Sequence, residues 1–272
     1  MERRAGGTSS DGVTGGSRYG WRGQPAAPAG RFARPAKIII SSFAAVIAAG
    51  ALGLGILLLV TPSAANAPQL ARAFDRAHHA TYREPPVPYR FAKALEATED
   101  HRFGSEPGID PFAVARVLAS RLTGHGDQGG ATLYQQLAKM LYTPQRTGMS
   151  AEAEQVALAI KLRYSFSAAE ILRLYSAVAY FGHGFYGLPA ASCGYFGVPP
   201  AQMSWPEAAL LAGLVQAPTA DDPLTHPASG LAREQHVMGR LVAVGALSQA
   251  QARSYLAIPL RTLLGNAGAC TG

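Results

Sequence analysis

Glu99-Asp100-His101-Arg102-Phe103 closes an apolar run that starts at Phe91, and thirty residues after Glu99 comes Gly129-Gly130-Ala131-Thr132-Leu133-Tyr134-Gln135-Gln136-Leu137-Ala138-Lys139. A carboxylate at the end of an apolar helix is partly desolvated, which raises its pKa and suits it to take a proton from a hydroxyl near neutral pH. Neighbouring helical positions point about 100 degrees apart, so Glu99 and Asp100 cannot both face one cleft. One is left for chemistry while the other bonds to structure. In the second segment Thr132, Gln135, Gln136 and Lys139 stand at offsets of zero, three, four and seven, which is one face of a helix. That face offers hydroxyl, amide and ammonium donors suited to sugar hydroxyls and to phosphate. Taken singly, the two segments read as readily as a solvated helix end and a solvated helix face. Order and spacing give them meaning together.

The elements that must position these residues are helical. Apolar residues recur at three and four over 91–97, 111–123, 132–142, 150–164 and 167–180, and again over 204–217, 231–244 and 248–256. Gly and Pro punctuate at 124–130, 144–148 and 182–187. Pro206 sits at the first turn of its helix, where the missing N–H costs little. Few stretches alternate as strands would, and no internal repeat is present. The fold class expected is all-α.

Charge and hydropathy divide the rest of the chain. Of the net charge of +7, residues 1–37 hold seven basic groups against two acidic ones, or +5, and the other 235 residues hold 17 basic and 15 acidic groups, or +2. The body therefore lacks the positive excess that neutralising a phosphate backbone requires, and no nucleic-acid partner is expected. The tail 1–37 is rich in Gly, Ser, Pro and Ala and is expected to be disordered. Ile38 to Val60 runs 23 residues without a charge, and about 20 residues of helix cross a bilayer core. A transmembrane helix over 38–60 follows, with the basic tail cytoplasmic and the body outside. A signal peptide cleaved at Ala65-Asn66-Ala67 competes, but the basic and apolar regions are both longer than such peptides use. Residues 61–88, with Pro62, Pro68, Pro85, Pro86 and Pro88, read as a stalk holding one short helix near 69–79. The domain proper spans 89–258, and 259–272 is a tail. Cys193 and Cys270 would both lie in the exterior, where a disulfide is permitted. Their pairing does not follow from the sequence, and two unpaired thiols are the simpler expectation.

The ordered segments ATEDHRF (97–103), Gly108-Ile109-Asp110, GGATLYQQLAK (129–139), SAAEILRLY (167–175), YFGHGFYG (180–187), AASCGYFG (190–197) and EAALLAGLVQAP (207–218) resemble the peptidoglycan glycosyltransferases of the penicillin-binding-protein type, glycosyltransferase family 51. The likeness covers about 89–251. It implies a lysozyme-like, two-lobed helical domain behind one transmembrane anchor at the bacterial plasma membrane. It also implies polymerisation of lipid II at the outer face, the 4-hydroxyl of lipid II displacing the lipid pyrophosphate of the growing glycan chain. By motif position Glu99 is the general base, Asp100 and Phe103 belong to its loop, and Arg116, Thr132, Gln135, Gln136 and Lys139 line the donor and pyrophosphate region. Positive charge there would stabilise the departing pyrophosphate. A divalent cation, typically Mg2+, is implied by the family alone, with its ligands unknown. No transpeptidase domain fits after the helical domain, so a separate transpeptidase is expected as partner.

Several positions depart from the family's pattern. Counted without gaps, the second essential glutamate falls on Gln155, the Arg-Lys pair on Ala151-Glu152 and a later acid on Arg163. Glutamine keeps shape and hydrogen bonding but loses the charge that would hold a cation or exchange a proton. Glu154 is next door, yet about 100 degrees around the helix, and substitutes only if the helix after 144–148 starts in a shifted register. Otherwise Glu152 and Glu154 read as first-turn acids that offset the helix dipole. Ala131 and Tyr134 stand where Ser and Thr are usual, Met140 and Ala177 where Asn is, and Glu106 where His is. The Tyr134 ring is expected on the face that meets the substrate's phosphate.

Three functional readings are open at this point. An active monofunctional transglycosylase is favoured by Glu99 and the Gly-Gly-Gln-Gln-Lys element. A catalytically weakened or silent lipid-II-binding scaffold protein of the cell wall is favoured by Gln155. A lysozyme-like hydrolase fits the all-α fold but not the anchor or the amide-rich face.

Overall fold

A computed structural model describes residues 33–78, 86–109, 131–262 and 270, with side chains from residue 44 onward. The chain divides after Gly50. Up to that point it contributes the beginning of helix α1 (Ala33–Val60), on which Val46 and Ile47 are exposed. No single helix among the described residues is long and apolar enough to cross a membrane; only the bent pair Ala44–Val60 with Ala64–His78 has the length and composition together. The side chains of 38–43, the first part of the expected span, lie outside the described ones.

From Ala51 onward the chain is one unit. A short 3-10 turn at Ala64–Asn66 leads into α2 (Ala67–His78). Then follow α3 (Tyr89–Glu99), α4 (Leu133–Tyr142), α5 (Met149–Ser165), α6 (Ala168–Val178), α7 (Leu188–Phe196), α8 (Trp205–Leu214), α9 (Pro227–Ala243) and α10 (Gln249–Leu256). Among the described residues there is no strand, only an isolated antiparallel bridge between Tyr180 and Tyr186. The all-helical architecture expected from the periodicity is the one observed. The expected helix over 111–123, like Arg116, Gly129 and Gly130, lies outside the described residues.

Helix α8 is the axle of the fold. Every position from Trp205 to Leu214 except Glu207 is buried, and α3 and α9 pack along it while α4 pairs with α5 and α2 leans on α6. Phe91, Leu95, Leu137, Leu158, Leu162, Ile171 and Leu211 meet in one continuous core. Four of the helix starts carry reciprocal capping boxes, at Thr132/Gln135, Ser167/Glu170, Ser204/Glu207 and Ser248/Gln251. Each satisfies two otherwise orphaned backbone N–H groups.

Three expectations need correction. Residues 61–88 are not merely a stalk, since Ala64, Ala67 and Ala71 are buried in the common core. Packing begins well before Tyr89. Helix α7 was not expected, because its residues are buried on almost every side and carry no amphipathic period to read. Cys193 on α7 and Cys270 are joined in a disulfide rather than left as thiols, which ties the end of the chain back to the core.

Candidate active site

Glu99 is the last residue of α3, and the chain turns there because Asp100, at the C-cap, leaves the helical conformation. Arg240 of α9 donates from Nε to the Ala97 carbonyl at 3.1 Å, placing a cation at the negative end of α3. Asp100 turns away from Glu99: it is 7% exposed, and its Oδ2 accepts the Leu133 backbone N–H at 3.2 Å. The end of α3 is thereby tied to the start of α4. Burial raises the Asp100 pKa, opposed by hydrogen bonds to Glu106 and to the Leu133 and Arg102 amides. Phe103 stacks on Tyr134 with ring centres 5.1 Å apart, so it packs the loop against α4.

Along α4 the polar residues divide between two jobs. Thr132 and Gln135 close the capping box, with Gln135 Oε1 accepting from Thr132 N at 3.0 Å and Thr132 Oγ1 accepting from Gln135 N at 3.2 Å. Thr132 Oγ1 also donates to the Gly108 carbonyl at 2.8 Å, securing the loop after Glu99. Gln136 and Lys139, one turn along, face an open cavity of about 630 Å³ whose walls include Glu99, Tyr175, Tyr180 and Gln216. Gln136 Nε2 donates to Glu99 Oε2 at 2.9 Å and to the Ala131 carbonyl at 3.1 Å, while Tyr175 donates to Gln136 Oε1 at 2.8 Å. Burial raises the Glu99 pKa; the Gln136 hydrogen bond and the Arg233 guanidinium act against it, and Asp100 adds to it. Arg233 is itself held by Asp221 at 2.8 Å and Gln216 at 2.7 Å.

The structure thus brings Glu99, Gln136 and Lys139 together on one cavity wall, and it corrects the shared-face expectation for Thr132 and Gln135. Their side chains serve the helix start instead. Tyr134 is also displaced from its expected place, being fully buried and turned into the core against Phe103. Burial raises its pKa.

The second carboxylate is not in the cavity. Gln155 Nε2 donates to the buried Thr143 hydroxyl at 2.9 Å, and Glu154 is paired with Arg146 at 2.7 Å. Neither borders the cavity, so neither faces Glu99 across it. Arg163 holds the loop after Glu99 from below, donating from Nε to the Glu106 carbonyl and from Nη2 to the Gly104 carbonyl, both at 2.9 Å. No group of three or more His, Cys, Asp or Glu suited to a metal occurs among the described residues. With Glu99 as the one described carboxylate on the cavity, the donor set does not fit a protein-held divalent cation, which takes several oxygen ligands.

Sequence reasoning passed over Tyr175 and Arg233. Tyr175 had a readable signal: a phenol on the core side of an apolar helix must find a partner for its hydroxyl. Arg233 had none, since it reaches the site through a tertiary approach allowed by Gly213, where any Cβ would collide with its side chain.

Comparison with known proteins then gives this geometry a context. The family described as transglycosylase matches residues 68–242, well over half of the chain. Penicillin-binding protein 1A of Aquifex aeolicus is 36% identical over 175 residues, covering 64% of this chain and 24% of that protein. A Cupriavidus necator protein bearing the name transglycosylase is 31% identical over 175 residues, covering 64% of this chain and 76% of its own length. A crystal structure of penicillin-binding protein 1A from Haemophilus influenzae aligns with 68% of this chain and 19% of that one, at 20% identity and a TM-score of 0.39. The chain spans about a quarter of the length of the penicillin-binding proteins it matches.

Proposed function

The chain belongs to the transglycosylase family, and on that premise we propose that it is a peptidoglycan glycosyltransferase polymerising lipid II into glycan strands. The observation that carries the proposal is Glu99, half-buried on a cavity wall beside Gln136 and Lys139, with its pKa raised by burial. In the reaction Glu99 accepts the proton of the acceptor 4-hydroxyl as that oxygen bonds to the anomeric carbon of the growing chain. The bond from that carbon to the pyrophosphate oxygen breaks, and the leaving group departs with the electron pair. The Lys139 ammonium on the same wall is placed to stabilise that charge. A divalent cation belongs to the proposal only as a companion of the substrate's pyrophosphate, since no site for it is formed among the described residues. No step is assigned to it.

The setting is part of the same proposal. The uncharged run 38–60 serves as the anchor in the plasma membrane, with the basic N-terminus inside and the catalytic body outside, where the Cys193–Cys270 disulfide is chemically stable.

The test is direct. Full-length protein in detergent, given lipid II and Mg2+, should produce glycan polymer, and Glu99→Gln should lower turnover by about 10²- to 10⁴-fold, the usual worth of a general base. A second reading, a silent lipid-II-binding scaffold, is favoured by the placement of Gln155 and Glu154 outside the cavity. Lipid II binding with no polymer, under conditions where another family member polymerises, would select it.

A further inference from the structure

We infer that Tyr175 is a positioning residue that orients the Glu99 carboxylate through the side-chain amide of Gln136. Tyr175 lies on α6, the segment that carries SAAEILRLY in the sequence, and it is 2% exposed. Its hydroxyl has one proton to give, and gives it to Gln136 Oε1 at 2.8 Å. Both protons of the Gln136 amide are then spoken for, one by Glu99 Oε2 at 2.9 Å and one by the Ala131 carbonyl at 3.1 Å. A glutamine amide can rotate by half a turn at little cost in shape, and only its hydrogen-bond partners decide which end faces which way. Rotated here, Oε1 would face a carboxylate and a carbonyl, and the Tyr175 proton would be stranded in a buried site, where an unsatisfied polar group is costly. The tyrosine therefore fixes the amide, and the amide fixes the carboxylate.

This arrangement separates the two oxygens of Glu99. Oε2 is engaged by Gln136, while no hydrogen bond from the described residues engages Oε1. Oε1 is the oxygen left to receive the acceptor's proton. Among the described residues, the other groups that bear on Glu99 are Asp100 on the adjoining turn, Arg233 from α9, and Lys139, Tyr180 and Gln216 around the cavity. The hydrogen bond to Gln136 Oε1 comes from Tyr175. Removing its hydroxyl should let the amide turn, weaken the hydrogen bond that favours ionised Glu99, and so raise the pH at which Glu99 titrates.

The inference rests on Glu99 being the base, so the experiment has one readout that needs no turnover. Carboxyl carbon NMR of full-length protein in detergent, with the Glu99 signal assigned by its loss in Glu99→Gln, is followed against pH in wild type and Tyr175→Phe. The expected result is a Glu99 midpoint about 0.5 to 1 pH unit higher in Tyr175→Phe. In the polymerisation assay the acid limb of kcat should move in the same direction, with kcat lowered about three- to tenfold and KM for lipid II changed less than about twofold. In a Gln136→Met background, Tyr175→Phe should cause no further shift, because the connecting amide is gone. A Tyr175→Phe protein with lowered melting temperature but an unmoved Glu99 midpoint would overturn the inference and leave Tyr175 a packing residue. An additive shift in the Gln136→Met background would overturn it too. If wild type makes no polymer yet the midpoint moves as expected, the relay stands and the catalytic reading of Glu99 falls.

Discussion

At Glu99 two effects oppose each other, burial holding the proton on and the Gln136 amide with Arg233 pulling it off, and burial is the larger. A base must be ionised to act, so activity should fall as the pH drops through the raised Glu99 value, at a higher pH than an exposed glutamate would give. A pH profile of turnover checks this, and an acid limb at or below the ordinary range near 4.5 would contradict it. The departures from the family's pattern also sort themselves at this scale. Glu106 and Arg163, which stand where the family has a base and an acid, lie against each other here, with Arg163 bonded to the Glu106 carbonyl. Arg163 thus holds the Glu99 loop through backbone carbonyls, at Glu106 and at Gly104. Gln155 is occupied with Thr143, whose hydroxyl can reverse its role and donate to a carboxylate. Gln155→Glu is therefore expected to leave turnover within about twofold and stability within about 0.5 kcal/mol. A tenfold gain in polymer yield would show that position 155 reaches the substrate after all.

At the scale of elements, what the sequence disclosed depended on whether a local signal existed. The capped helices were readable: Ser167 with Glu170 marks a start and an apolar stripe marks a face on α6, while on the almost wholly buried α8 the start signal of Ser204 with Glu207 is what shows. Ser204→Ala should accordingly cost about 1 kcal/mol in chemical unfolding. Helix α7 was hidden because it has neither a stripe nor a side-chain cap at its start, Gly187 standing at the N-cap. The division of α4 into capping and cavity positions was hidden as well, since Thr132, Gln135, Gln136 and Lys139 look alike by spacing and differ only in what tertiary structure asks of them. The 180–187 loop was visible as glycine punctuation, but not the reason for Gly182. At a φ of +87° it lets the loop carrying Tyr180 press against Pro218, and both border the cavity; a Cβ there would overlap the Pro218 carbonyl. Gly184 has a φ of +78° and nothing close to it. Gly182→Ala should thus destabilise by about 3 kcal/mol, and Gly184→Ala by only about 1 kcal/mol, the strain of the backbone alone. Equal losses for the two would remove the close approach as a cause.

Over the whole molecule, stability also depends on a group that plays no part in the cavity. Glu234 lies on the inner face of α9 with Gly230, Val237, Met238 and Leu241, is 2% exposed, and is pushed up to about 7 by burial. A carboxyl whose pKa is higher folded than unfolded binds more protons in the folded state over that interval, so stability falls as pH rises. Below the unfolded value near 4.5 both states are protonated and Glu234 makes no difference. The loss accumulates between about 4.5 and 7 and is complete above it. Glu234→Gln keeps the shape and removes the charge. It should match wild type at pH 4 and exceed it at pH 8 by about 1 to 2 kcal/mol, once solvent screening is allowed for. Urea unfolding of both proteins across that range is the measurement. Because the charge of Glu234 is the one thing that differs, the gap between the two curves reports its titration directly, and parallel curves would mean that α9 opens enough to hydrate the carboxylate without loss.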